Sequence, residues 1–239
     1  MRIAMWSGPR NLSTALMYSF GARSDCAVTD EPFYAAYLER TGIDHPMRDD
    51  ILASQSQDPK AVAADMVGPI PGQKAHWYQK HMTQHMIEGV PRDWMAEVTN
   101  VFLIRHPARV IASYAKKREA PVLDDIGFRQ QAELFDHVTA LGQTPVVIDS
   151  ADIRTDPKAA LQGLCDAIGL DWDPAMLHWP AGEHADDGIW AKVWYAAVHQ
   201  STGFAGAEGA LPVLEGAYSD LLAEAMHYYE TMLPLKLAS

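Results

Sequence analysis

The chain has 239 residues, of which 48% are hydrophobic and 21% charged, and this composition is typical of a soluble globular protein. Its formal net charge of −12 argues against a broad surface for nucleic acid or anionic membrane, because the summed field repels a polyanion. Two cysteines are too few for a disulfide framework or a thiolate metal cage, and the sequence has neither a membrane-spanning apolar run nor an export signal. We therefore expect a cytoplasmic protein in which any anion site is a local cluster of Arg, Lys and backbone N–H groups.

The predicted secondary structure alternates short apolar strands with helices. The first strand, at 3–6, leads through a Gly-Pro-Arg turn into a helix from about Ser13 to Gly21. Pro107 favours the first turn of a helix, while Asp156 and Gly169 are typical of a helix cap and a helix stop. The remaining elements, in chain order, are a strand ending near Asp30, a helix after Pro32, a charged irregular stretch at 41–60, a helix at 61–66, a strand at 74–82, a strand at 101–105, a helix at 127–141, a strand at 144–150, and a last long helix with an apolar stripe at 214–229.

This alternation predicts an α/β fold with a parallel sheet covered by helices on both faces. The sequence contains no internal repeat and no low-complexity tract. Residues 182–210 are rich in Gly, Ala and aromatic side chains, and we interpret them as an irregular flap packed by its own aromatics. We expect a single domain over 1–239.

The stretch SGPRNLST, at 7–14, is the first candidate anion site. Gly8 allows a tight turn, and the N–H groups around Asn11 to Thr14 would point at an anion at the start of a helix. Arg10 adds a positive charge, and Ser13 and Thr14 add hydroxyls. Counted from Gly8, Ser13 stands where a nucleotide-triphosphate loop has its second Gly, and Thr14 where it has its Lys. The alternative is a simple turn with Ser13 as a helix cap.

The second candidate site is FLIRHPARVIAS, at 102–113. Arg105 directly follows a buried strand, so it lies close to the core and needs an anionic partner. Ser113 lies about two turns into the next helix, where its hydroxyl and the Arg105 guanidinium can converge on one phosphate. Arg109 shares the helix face of Ser113.

Together these stretches resemble the sulfotransferase family. SGPRNLST is similar to the family's 5′-phosphosulfate loop, P-[KR]-[SN]-x-[ST]-[ST], and RHPARVIAS to its 3′-phosphate motif. Residues 146–177 are similar to a third passage of the same enzymes, so the resemblance covers most of 1–180 in the expected order. It implies a three-layer P-loop-type sheet that binds 3′-phosphoadenosine 5′-phosphosulfate (PAPS) and releases adenosine 3′,5′-bisphosphate (PAP). This donor has no triphosphate and needs no bound metal, which fits a loop without the Walker lysine.

The resemblance implies sulfuryl transfer to a hydroxyl or amine of a small-molecule acceptor. Arg10 stands where many members carry Lys and would neutralise the leaving phosphate. The flap offers Trp190 for adenine and Lys192 for the 3′-phosphate, although one extra residue separates this pair compared with the family. The implied donor-binding residues are Gly8, Pro9, Arg10, Asn11, Leu12, Ser13, Thr14, Arg105, Ser113, Trp190 and Lys192.

The base that removes the acceptor proton has several candidates. Members of the family carry a Lys-Thr-His run on a strand, and Lys80 in YQKHMTQHM matches its Lys. The His is displaced, since Met82 occupies its position and the neighbouring histidines are His81 and His85. Glu31, at the end of the second strand, is a rival because other branches of the family use a carboxylate.

Two alternative functions remain open from the sequence. A P-loop kinase or other NTP-dependent transferase would depend on magnesium and would require the Walker lysine that this loop lacks. A nucleotide-binding module that has lost catalysis would bind PAP but would not transfer a sulfuryl group. The displaced His is compatible with this alternative. The sequence does not define the acceptor or the oligomeric state.

Overall fold

The computed structural model describes residues 1–116 and 120–238. Five parallel strands form one sheet in the order β2-β3-β1-β4-β5. The strands are β1 (Arg2–Ser7), β2 (Cys26–Asp30), β3 (His76–Met82), β4 (Thr99–Ile104) and β5 (Val146–Asp149). The order reverses at the central strand β1, and in sheets of this kind ligands bind at such a switch point, beyond the carboxyl ends of the strands.

Helices cover both faces of the sheet, as the alternating pattern predicts. In chain order they are α1 (Ser13–Gly21), α2 (Tyr34–Thr41), α3 (Arg48–Ser54), α4 (Pro59–Met66), α5 (Pro107–Tyr114), α6 (Leu123–Ile126), α7 (Phe128–Ala140), α8 (Ser150–Thr155), α9 (Pro157–Ile168), α10 (Ala191–Trp194), α11 (Ala196–His199) and α12 (Ala217–Met232). Ala4 and Trp6 of β1 pack in a core with α4, α5, α7 and α12. Ile3 and Met5 point to the other face and pack with α1 and α9. The α/β three-layer prediction is confirmed.

Local signals place several helix ends where the sequence predicts them. Pro107 is the first residue of α5. The Asp156 side chain caps α9 by accepting a hydrogen bond from the Ala159 N–H at 3.0 Å. Gly169 ends the same helix at φ 72°, in the left-handed region that favours glycine.

Two expectations were wrong, and one helix was not predicted. The stretch 41–60, expected to be irregular, contains α3, which buries Ile51 completely and carries acidic residues in its first turn. A further helix, α8, follows β5 directly because the Asp149 side chain accepts from the Ala151 N–H at 2.8 Å and caps it. Leu214 was placed in the last helix, but α12 begins only at Ala217, after Gly216 turns the chain at φ 55°.

The fold gathers the chemistry-bearing residues at one edge of the sheet. The carboxyl ends of the parallel strands lead into the loop at 8–12 after β1, Glu31 after β2, and Arg105 after β4. Arg154, on α8, follows β5 closely. Within the described residues, none of the helices combines the length and apolarity needed to cross a membrane.

Candidate active site

The loop between β1 and α1 has the backbone of an anion-binding turn. Arg10 and Leu12 adopt positive φ angles of 63° and 75°, and left-handed residues in such turns form concave nests of N–H groups. Gly8 is required by close approach, because a Cβ at this position would lie 2.4 Å from the carbonyl oxygen of Ile126. Leu12 occupies the position before α1, so Ser13 is the first residue of the helix and not its cap.

The two predicted anion stretches meet. Arg10 Nε donates a hydrogen bond to Ser113 Oγ at 2.9 Å, across 103 residues of sequence. The buried Asn11 side chain donates to the Leu103 carbonyl at 3.3 Å, and Arg105 donates to the Arg10 carbonyl. Burial and the positive charge of Arg105 lower the pKa of Arg10, as expected where guanidinium groups crowd together.

The anionic partner that Arg105 requires is Glu208. Arg105 donates to the Glu208 carboxylate, Arg154 Nη1 donates to its Oε1 at 2.8 Å, and Arg109 Nε lies 3.3 Å from its Oε2. Burial raises the pKa of Glu208, but Arg105, Arg154 and Arg109 outweigh this effect and hold the pKa below its usual value. We call Arg105, Arg109 and Arg154 the arginine cluster.

Sequence reasoning missed Arg154 and Glu208, although each carries a signal. Arg154 lies close behind the strand β5, as Arg105 lies behind β4. Glu208 is the one charged residue in the eight-residue stretch GFAGAEGA, at 203–210.

A second cluster surrounds Lys80, whose side chain is 1% exposed. Its Nζ donates to Asp30 Oδ1 at 2.8 Å, Glu31 Oε1 at 2.6 Å and Tyr195 Oη at 2.5 Å, so all three N–H groups have acceptors. Tyr195 Oη in turn donates to Asp30 Oδ2 at 2.7 Å and accepts from Trp190 Nε1 at 3.0 Å. We call Lys80, Asp30, Glu31 and Tyr195 the carboxylate cluster.

Burial controls protonation in the carboxylate cluster. Burial raises the pKa of Glu31 above its usual value, and the nearby charge of Lys80 reverses only part of that shift. For Lys80, burial lowers the pKa, but the negative charges of Asp30 and Glu31 outweigh it, so the pKa lies above its usual value. Lys80 is therefore a fixed cation, while Glu31 is a carboxylate of increased basicity.

The two histidines next to Lys80 occupy different places. His81 is stacked on Trp6 with ring centres 4.5 Å apart, and burial lowers its pKa to about 3. His85 lies between the rings of Tyr34 and Tyr37, and its Nε2 is 4.0 Å from Glu31 Oε2. Burial, followed by the charges of neighbouring groups, lowers the pKa of His85 well below its usual value. Both rings are therefore neutral near pH 7.

Trp190 lies inside a packed core, which corrects the expectation that it stacks on adenine, whereas the assignment of Lys192 to the 3′-phosphate stays a prediction. Trp190 is 1% exposed and packs edge-on against Tyr34 in a core with α2 and α3. A ring held in that core cannot stack on a ligand without unpacking. Lys192 is exposed on α10.

A cavity of about 300 Å³ joins both clusters. Its lining combines the anion loop (Pro9–Thr14), Arg105 and Arg154 with Glu31, Lys80, His85 and Tyr195. Aromatic side chains, including Tyr34, Tyr37 and Trp194, complete the wall. The described residues include no group of three or more His, Cys, Asp or Glu side chains arranged to hold a metal ion. The arrangement can bind an anion against Arg and N–H groups while a basic carboxylate faces the same space.

Comparisons with known proteins identify a family and two relatives of similar sequence. A family model described as a sulfotransferase domain matches residues 1–235. Two relatives from Arabidopsis thaliana, branched-chain-amino-acid aminotransferase-like proteins 2 and 1, are 34% and 35% identical to this chain over 230 residues, 96% of its length. The chain spans 41% of the length of each of these relatives.

Solved structures share the fold. A sulfotransferase domain from the curacin biosynthetic pathway superimposes with a TM-score of 0.56 at 15% identity, covering 99% of this chain and 98% of that one. A sulfotransferase from Alicyclobacillus acidocaldarius gives a TM-score of 0.57 at 10% identity, covering 98% of this chain and 96% of that one. A sulfotransferase domain from the Synechococcus PCC 7002 olefin synthase gives 0.52 at 18% identity, covering 95% of each chain.

Proposed function

The chain belongs to the sulfotransferase domain family, and we propose that it moves a sulfuryl group from PAPS to a hydroxyl or amine of a small-molecule acceptor. The observation that carries this proposal is the Arg10–Ser113 hydrogen bond, which joins the two anion-binding stretches in one cavity with Glu31. A donor with two separate phosphate positions suits two linked anion sites. The cavity is also large enough for the reacting ends of a donor and a small acceptor.

The anion loop would hold the 5′-phosphosulfate end of the donor. The positive φ angles at Arg10 and Leu12 and the N-terminus of α1 supply N–H groups, and Ser13 and Thr14 supply hydroxyls. As the sulfur–oxygen bond to the 5′-phosphate breaks, negative charge grows on that phosphate. The Arg10 guanidinium keeps its positive charge at neutral pH, and it would therefore stabilise this negative charge.

The arginine cluster would hold the 3′-phosphate. Its guanidinium groups already surround one carboxylate, that of Glu208, so the donor set and spacing suit an oxyanion. Ser113, bonded to Arg10, would connect this site to the anion loop.

Glu31 is the base that the geometry favours. Its carboxylate lines the cavity, and burial raises its pKa, so it accepts a proton more readily than an exposed carboxylate. His81 is stacked behind the site on Trp6, and the buried ring of His85 resists acquiring a charge. The acceptor oxygen or nitrogen would form its bond to sulfur as its proton passes to Glu31. Lys80 would position this carboxylate and balance its charge.

Thermal melting with PAP in the absence of metal, on wild type and Arg105→Ala, tests the donor assignment. PAP at about 100 times its dissociation constant should stabilise the wild type by roughly 2.7 kcal/mol, which corresponds to roughly 5–10 °C. Arg105→Ala should lose most of this gain. Arg2→Ala, which removes an arginine bonded to the Gly68 carbonyl near the start of β1, is the matched control and should keep it.

Two further results decide between the alternatives. Stabilisation by Mg-ATP and not by PAP would contradict the donor assignment and favour an NTP-dependent transferase. If PAP binds, transfer of labelled sulfate from PAPS to a panel of small alcohols, phenols and amines tests catalysis. Binding without transfer to any member of a broad panel would support a nucleotide-binding module.

A further inference from the structure

Glu208 is held almost entirely by arginine side chains. Its carboxylate contacts Arg105, Arg109 and Arg154, which come from the end of β4, from α5 and from α8. The backbone on either side is held by the same residues, because Arg154 Nε donates to the Gly206 carbonyl at 2.9 Å and Arg109 donates to the Gly209 carbonyl. The segment 205–210, which we call the strap, therefore depends on the arginine cluster for its position.

The strap has little else to keep it in place. Apart from Glu208, its residues are glycines and alanines, and all of these are exposed. They bury too little apolar surface to offset the entropy of ordering the backbone. The chain before the strap is anchored better, since Phe204 packs edge-on against Trp179 and Gly203 pairs with His178. The strap can therefore detach while its preceding anchor stays.

The charge of the cluster favours an exchange of anions. Three guanidinium groups face a single carboxylate, and Arg10 stands close by through the Arg105–Arg10 contact. A phosphate group carries up to two negative charges and three acceptor oxygens, so it satisfies more of these donors than Glu208 does.

We propose that the strap is an autoinhibitory element, in which Glu208 competes with the phosphate of an anionic ligand for the arginine cluster. The identity of that ligand as PAPS or PAP rests on the proposed function, whereas the competition rests on the contacts of Glu208 alone. Binding then requires the strap to leave, and its return helps to expel the product. The apparent dissociation constant equals the intrinsic constant divided by the fraction of molecules with an open cluster, so a strap docked in nine molecules of ten weakens binding about tenfold.

Calorimetric titration of PAP into wild type and Glu208→Gln tests the competition. The variant keeps the size of the side chain and removes its charge, so PAP should bind about tenfold more tightly than to wild type. Glu224→Gln is the matched control, because it makes the same charge change on an exposed position of α12 and should bind PAP as wild type does. Adenosine 5′-monophosphate, which lacks the 3′-phosphate, should bind wild type and Glu208→Gln equally.

Cleavage by a glutamate-specific endopeptidase gives a second readout on the wild type. Glu208 is the only glutamate in the strap and its side chain is held by the arginine cluster, so PAP should accelerate cleavage after Glu208. Slower cleavage at this position would overturn the proposal, since it would mean that the strap closes over the ligand.

The outcomes separate this proposal from the donor assignment. Equal PAP affinity of wild type and Glu208→Gln, within twofold, overturns the competition and leaves the donor assignment standing. If PAP binds neither protein but inorganic phosphate stabilises Glu208→Gln more than wild type, the competition stands and the donor assignment fails. If neither anion stabilises either protein, both fail.

Discussion

The cavity is bounded by two ionic clusters of opposite construction. In the carboxylate cluster, one ammonium group lies between two carboxylates, and the side chains of Lys80, Asp30 and Glu31 are 1%, 1% and 9% exposed. In the arginine cluster, three guanidinium groups share one carboxylate, and their side chains are 15–22% exposed. The first cluster is nearly buried and holds the proposed base, whereas the second has surplus positive charge and is the proposed site of anion exchange. The two clusters thus differ in burial and in charge balance, as their different proposed roles require.

The largest expected effect is on folding, from Lys80→Met. The change leaves Asp30 and Glu31 buried without their cation, and breaking a buried pair in this way costs about 3–5 kcal/mol. Urea denaturation at pH 7.5 measures the loss. Lys60→Met, on an exposed position of α4, is the control and should change the stability by less than about 0.5 kcal/mol. A loss below about 1 kcal/mol for Lys80→Met would show that water reaches the carboxylate cluster.

Glu31→Gln tests the chemical role of the same cluster. Removing a general base should lower kcat at least 100-fold, while PAP affinity should stay within twofold of wild type because Glu31 is assigned to the acceptor side. The measurement is kcat and KM with an acceptor identified in the panel, with Glu224→Gln as control. If kcat falls less than threefold, the base is another group, and His85→Gln becomes the variant to test.

The sequence predicted these two clusters to different degrees. The anion loop, Arg105, Ser113 and the cap of α9 carry local patterns, because backbone turns and strand ends require particular residue types over a few positions. Lys80 and Glu31 were predicted as candidates for catalysis, but their mutual hydrogen bond follows from the pairing of β2 with β3.

The partners that flap residues contact cannot be identified from any local pattern, even where a residue such as Glu208 stands out in its own segment. Glu208 reaches Arg105 across 103 residues, and Tyr195 reaches Asp30 across 165. Trp190 was expected to contact adenine because the flap resembles a nucleotide-binding segment of the family, yet its indole N–H donates to Tyr195 and its ring packs in the core. Long-range pairing of single side chains depends on the complete fold, and periodicity along the chain does not encode it.

Arg154→Ala tests whether Arg154, in the arginine cluster, contacts both the ligand and the strap. In the Glu208→Gln background, Arg154→Ala should weaken PAP binding about tenfold, or about 1.4 kcal/mol, because a charge-assisted contact to phosphate is lost. In the wild-type background the loss should be only about threefold, since the same change also loosens the strap. Calorimetry on the four proteins measures the difference. Equal losses in both backgrounds would show that Arg154 contacts the ligand but does not hold the strap.

The smallest expected effect is a pH dependence of the stability that the buried His81 causes. Burial lowers the pKa of His81 to about 3 in the folded chain, against an ordinary value near 6.5 when unfolded. His81 is therefore protonated below about pH 6.5 in the unfolded chain but only near pH 3 in the folded chain. The stability that the neutral His81 contributes above pH 6.5 is thus lost as the pH falls toward 3. His81→Phe keeps an aromatic ring against Trp6 and removes this titration.

Urea denaturation of wild type and His81→Phe at pH 7.5 and pH 5.5 isolates the contribution of His81. The free energy of unfolding of the wild type should fall by about 1 kcal/mol more than that of the variant. His85 and the other titrating groups are common to both proteins and cancel in the comparison. Equal losses would mean that His81 takes up its proton in the folded chain, so the stack on Trp6 would have to admit water. In that case His81, and not only Glu31, would be accessible enough to serve as the base.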